Sequence, residues 1–155
     1  MKRFLFGLVA LALVISVASQ AMAQPSYLYT TFDVPGATDT FALGINDSGL
    51  IVGFYYDAAG GHGFLLQQGT YTTLDVPGAS RTYGSGINDA GQIVGFYLDA
   101  AFTYHGFLLD QGSYTTLDAP GSGSTFAQGI NASGQIVGSY STGTAAHGFL
   151  ARPVP

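Results

Sequence analysis

From Tyr29 onward the hydrophobic and β-branched residues come in short runs, each bounded by Gly, Pro, Asn or Asp. That is the pattern of short strands and tight turns, not of amphipathic helices. Tyr-Thr-Thr-Phe/Leu-Asp suits a pleated surface and predicts one strand. Pro-Gly follows it at Pro35-Gly36, Pro77-Gly78 and Pro120-Gly121 and predicts a turn. A second strand is predicted over Phe41–Asn46 and its copies, with Phe41, Leu43 and Ile45 on one face. The copies place Tyr83 with Ile87, and Phe126 with Ile130. Asn46–Gly49, Asn88–Gly91 and Asn131–Gly134 have Asn first and Gly fourth, which suits a type I turn closing a hairpin. A third strand covers Ile51–Tyr55, Ile93–Tyr97 and Ile136–Tyr140, and a fourth begins at Gly63, Gly106 and Gly148 with Gly-Phe-Leu.

These elements recur in order, so the chain is one unit written three times: 29–70, 71–113 and 114–150. Gly44, Gly86 and Gly129 are 42 and 43 residues apart, and His62, His105 and His147 are 43 and 42 apart. The extra residue of the second unit falls between Gly95 and His105, marking a loop that tolerates insertion. Gly-Ile-Asn-x-x-Gly-x-Ile-Val-Gly and His-x-Phe-Leu, each present three times, resemble the HAF-repeat family of exported bacterial proteins. The resemblance spans Tyr29–Leu150, with Gly63, Gly106 and Gly148 where the family name implies Ala. It implies an extracellular repeat and brings no catalytic residues. Some relatives carry a C-terminal sorting segment. This chain stops at Arg152-Pro153-Val154-Pro155, so a freely exported product is expected.

An all-β fold follows. Four-stranded units of about 42 residues suit propeller blades, with a β-trefoil as the alternative. Three units fall short of the roughly four blades at which propellers close, so two chains are expected to share a ring of six. The N-terminal strand would then complete a blade begun by the last strand, its own or a partner's. An open array would leave strand edges that invite self-association.

The first residues read differently. Lys2 and Arg3 precede an apolar run from Phe4 to Ala18, followed by Ala21-Met22-Ala23. This is the pattern of a secretory signal peptide, 1–23, cleaved after Ala23. The run is shorter than the ~20 residues of a spanning helix, and no later stretch is long and apolar enough to replace it. Secretion to the exterior or the periplasm is expected, with 24–155 a single β domain. That mature chain has Arg81 and Arg152 against nine Asp, a formal charge of −7, and neither Lys nor Glu. Such a surface repels nucleic-acid backbones and anionic membranes. With no Cys in the chain, disulfides cannot stabilise the exported fold.

Candidate chemistry is sparse. His62, His105 and His147 occupy equivalent places; converging on a threefold axis, they would make a zinc hydrolase site. Otherwise each begins a strand and bonds a neighbouring turn. Asp47 and Asp89 lack the alternating acids of a calcium loop, and the third copy has Ala132. Asp33, Asp75 and Asp118 precede the Pro-Gly turns and read as turn acceptors before acid–base catalysts. Tyr55, Tyr97 and Tyr140, with Asp57 and Asp99, would form shallow sugar-binding pockets whose repetition gives avidity. Gly-x-Ser-x-Gly is absent, and the sequons at Asn46 and Asn131 read as turns. The expectation is an exported, non-catalytic binding or structural module without a cofactor, contacting a glycan or a surface protein. A lectin-like module and a three-histidine hydrolase are the alternatives.

Overall fold

The computed structural model describes residues 26–154. The expected signal peptide and its cleavage site lie outside the described residues. The chain divides between Thr31 and Phe32. Of the first part, residues 26–31 are exposed and belong to no strand.

The second part is all β, with no helix among the described residues. The first four strands are β1 (Asp39–Ile45), β2 (Ile51–Tyr56), β3 (Gly61–Gln67) and β4 (Thr70–Leu74). The next four are β5 (Arg81–Ile87), β6 (Ile93–Leu98), β7 (Tyr104–Asp110) and β8 (Ser113–Leu117). The last three are β9 (Ser124–Ile130), β10 (Ile136–Ser141) and β11 (Ala146–Ala151). Strands β1–β4 and β5–β8 each form an antiparallel meander. One parallel pairing, Gly61 with Arg81, joins them into an eight-stranded sheet. Strands β9–β11 form a separate three-stranded sheet, and neither sheet closes into a barrel.

Local chemistry accounts for the turns. The Val34, Val76 and Ala119 carbonyls accept from the N–H three residues on at 3.0 Å each, across Pro-Gly. Gly36, Gly78 and Gly121 have φ of 84°, 82° and 74°, as a type II turn requires at its third position. The Asn46, Asn88 and Asn131 carbonyls accept from Gly49, Gly91 and Gly134, also at 3.0 Å.

The second strand of each unit departs from simple alternation. The register slips between Ala42 and Gly44, between Gly84 and Gly86, and opposite Val137–Gly138, so each copy carries a bulge. Phe41 pairs with Phe54, whereas Ile45 pairs with Ile51. Partners share a face, and residues 51 and 54 point to opposite faces. The bulge therefore puts Phe41 and Ile45 on opposite faces, against the common face that alternation predicted. Glycine opposite the bulge is obligatory: a Cβ on Gly53, Gly95 or Gly138 would run into the carbonyl of Phe41, Tyr83 or Phe126.

The core lies largely between successive strand sets. Val52 and Leu65 pack with Leu74, Ile87, Ile93 and Phe107. Val94 and Leu108 pack with Leu117, Ala127, Ile130 and Ile136. A third cluster joins Phe32 and Val34 to Tyr55, Phe64 and Tyr71. The Asn turns stitch the sets along one end. The Asn46 amide donates to the Asn88 carbonyl at 3.1 Å, and the Asn88 amide to the Asn131 carbonyl at 3.0 Å.

One expected strand is missing. Tyr29–Asp33 belongs to no strand, although its copies are β4 and β8. Those copies pair with the Gly-Phe-Leu strand directly before them, β3 and β7. Among the described residues no strand precedes the first copy, and its backbone joins no ladder there.

Candidate functional site

The histidines mark the site, and strand register builds it. Tyr55 stands opposite His62 across β2 and β3, Tyr97 opposite His105 across β6 and β7, and Tyr140 opposite His147 across β10 and β11. Tyr55 and Tyr97 therefore stack on their His, with ring centres 5.3 Å apart in each pair, and Tyr140 lies tilted against His147 at 5.2 Å. The next hairpin brings a carboxylate to the same ring. Gln68-Gly69 and Gln111-Gly112 turn with φ of 48° and 82°, and 48° and 81°, the two left-handed residues of a type I′ hairpin. His62 and Asp75 lie six residues either side of the first turn, and His105 and Asp118 six either side of the second. They meet across the ladder. His62 Nδ1 lies 3.0 and 3.1 Å from the two Asp75 oxygens, and His105 Nδ1 lies 3.0 Å from both oxygens of Asp118.

The other ring nitrogen faces a second carboxylate. His105 Nε2 is 3.3 Å from Asp99 Oδ2, and His62 Nε2 is 3.5 Å from Asp57 Oδ1. His62 Nε2 is buried and, among the described residues, has no well-formed hydrogen-bond partner. Asp57 Oδ1 accepts from the Ala59 and Gly60 N–H groups at 2.7 and 3.1 Å. Asp99 Oδ1 accepts from Ala101 and Thr103 at 2.9 and 2.8 Å. These loop bonds hold both carboxyls below the ordinary range: Ala59 N–H leads at Asp57 and Thr103 N–H at Asp99, with the neighbouring His adding to each. At His105 burial alone would push the pKa down, but Asp118 and Asp99 outweigh it and the pKa is raised.

Each cluster borders a cleft. One of about 230 Å³ is lined by His62, Asp75, the Pro77-Gly78 turn and Arg81. Its counterpart, about 320 Å³, is lined by Tyr104, His105, Asp118, Pro120, Ser122 and Ser124. Phe102, exposed and in a left-handed conformation, sits on the loop just before that lining. In the third copy His147 is exposed, Thr142 stands where Asp57 and Asp99 stand, and among the described residues no Asp lies after β11.

The sequence candidates are thus redistributed. Tyr55 is buried in a core cluster and Tyr97 packs against another. Their hydroxyls bond Thr73 and Thr116, each at 3.1 Å. Their rings lie against His, and the cleft walls are His with Asp75 or Asp118. Asp57 and Asp99 face the far side of the imidazoles. The three histidines do not gather: among the described residues, no three His, Cys, Asp or Glu are placed to hold a metal ion. Sequence reasoning treated Asp75 and Asp118 as turn acceptors and missed them as imidazole partners. The equal spacing about a two-residue turn was the signal that pairs them. No family model matches the chain, and no curated protein matches it either.

Proposed function

We propose that this chain is an exported, non-catalytic binding protein built of propeller-like blades, whose repeated clefts take a polyhydroxylated ligand such as a surface glycan. One observation carries the reading: the same His–carboxylate cluster, beside its own cleft, occurs at His62 and again at His105. An imidazole facing a carboxylate at each nitrogen is poorly placed to take a proton from a nucleophile or to ligate a metal. Asp75 and Asp118 are about half exposed and offer acceptor lone pairs to sugar hydroxyls. Exposed Phe102, next in the chain to Thr103 of the second cleft's lining, offers an aromatic face. Equivalent clefts on one chain favour a multivalent ligand through avidity. The meander order of β1–β4 and β5–β8, and the lack of a closed barrel, favour blades over a trefoil. The basic-apolar-Ala-x-Ala start and the HAF-like motifs support export.

A glycan array with the purified protein, followed by calorimetry on each hit, tests this. Phe102→Ala and Asp118→Asn should each weaken binding about ten-fold, some 1.4 kcal/mol, with circular dichroism unchanged. An array without hits would sink the glycan reading. Release of reducing sugar from a bound glycan would overturn the non-catalytic one.

A further inference from the structure

Among the described residues, the two ends of the strand array carry exposed apolar surfaces that are complementary. Val52 on β2 and Val94 on β6 are 0% exposed, whereas Val137, at the same place on β10, is 49% exposed and Leu150 on β11 is 46% exposed. At the other end Leu43 and Ile45 of β1 are 53% and 66% exposed. With Phe32 and Ile51 they line an apolar groove of about 260 Å³. Inside the chain, Val52 packs with Leu74, Ile87 and Ile93, and Val94 with Leu117, Ile130 and Ile136. Phe32, Ile45 and Ile51 are the first-unit counterparts of those partners. Exposed Val137 is therefore the knob, and the groove the socket, of a joint the chain already makes twice.

The sheet edge is open in the same sense. β3 and β7 each carry an outer strand, with Gly63 opposite Leu74 and Gly106 opposite Leu117. Among the described residues β11 pairs only with β10. A Cβ on Gly63 or Gly106 would lie 2.8 or 2.7 Å from the Leu74 or Leu117 carbonyl, but one on Gly148 meets nothing closer than 3.9 Å. Position 148 is Gly, as 63 and 106 are, although among the described residues no strand lies beside it on that edge.

We propose that a second copy of this chain covers this end. Its Phe32–Ile45–Ile51 groove seats Val137, and its Tyr29–Asp33 segment adds to β11 as the outer strand. In the register of β4 and β8, Phe32 of the second copy falls opposite Gly148 and Asp33 of the second copy falls beside His147. The partner thereby supplies an Nδ1-side carboxylate for His147, which has none within the described residues. The contact is head-to-tail, and two such contacts close a pair of chains by a twofold axis. A second copy is the occupant because the groove and the knob repeat an internal joint residue for residue.

Light scattering of the purified protein behind a sizing column tests this. The wild type should run as a dimer at about 10 μM. Val137→Asp on the knob and Ile45→Asp in the socket should each give a folded monomer by circular dichroism. Mixing the two should restore dimers, since one knob and one socket remain intact. Gly148→Ala crowds nothing within its own chain and should weaken association at least ten-fold. A wild-type monomer at about 100 μM would overturn the proposal. So would a Val137→Asp or Gly148→Ala dimer as tight as the wild type. Association is read without ligand, so its absence would leave the binding reading of the two internal clefts standing.

Discussion

His105 binds its proton more tightly folded than unfolded, because Asp118 and Asp99 flank it against the opposing pull of burial. Its contribution to stability is fully present below the unfolded value, about 6.5, and is lost as pH rises through the higher folded pKa. Asp57 and Asp99 run the other way. Their carboxyls are held low by loop N–H groups, so their contribution is present above the unfolded value, about 3.8, and is lost on acidification. Stability should therefore peak in mildly acidic solution, between about pH 4 and pH 6.5. Urea midpoints across pH check this, and His105→Gln should flatten the fall on the alkaline side. The histidines and their spacing were legible in the sequence. Their Nδ1 partners Asp75 and Asp118 were not, because these come from the far arm of a hairpin and meet the ring only through its register.

At the scale of elements, identical turns hold different loads. Asn88 is buried: its Oδ1 accepts from the Gln92 N–H at 3.0 Å, and its amide donates to Asn131 and Gln92. Asn131 is exposed, and its amide donates to Gln135 at 2.8 Å and, among the described residues, to no further turn. Asn88→Ala should cost about 2–3 kcal/mol, since it orphans buried groups, and Asn131→Ala about 1 kcal/mol. Urea unfolding of both variants measures the difference. A hairpin turn is readable from Asn and Gly because its geometry is local. The amide ladder between turns is not, since it depends on strand sets meeting at a fixed distance. The bulge is similar. Alternation put Phe41 and Ile45 on one face, and only the ladder shows the extra residue that parts them.

At the scale of the molecule, position in the array outweighs sequence. Val52, Val94 and Val137 occupy the same repeat position, yet the first two are buried and the third is half exposed. In dilute solution Val94→Ala should cost about 2 kcal/mol through lost burial and a cavity, while Val137→Ala should stay within about 0.5 kcal/mol. Thermal unfolding at low protein concentration checks the contrast. If ends join, the cost at Val137 should grow with protein concentration, because the joint is then part of what unfolds.

By itself the sequence determined what is local and periodic. It set the strands that form, the Pro-Gly and Asn-x-x-Gly turns, the absence of a helix among the described residues, and the threefold writing of one unit. Each follows from residue preference over a few positions, and repetition multiplies the signal. The tertiary structure decided what depends on neighbours. It paired His62 with Asp75, turned the candidate tyrosines against imidazoles, and left Tyr29–Asp33 without a ladder. Equal sequences met unequal surroundings there, because burial and pairing are properties of what lies alongside a strand and not of the strand itself.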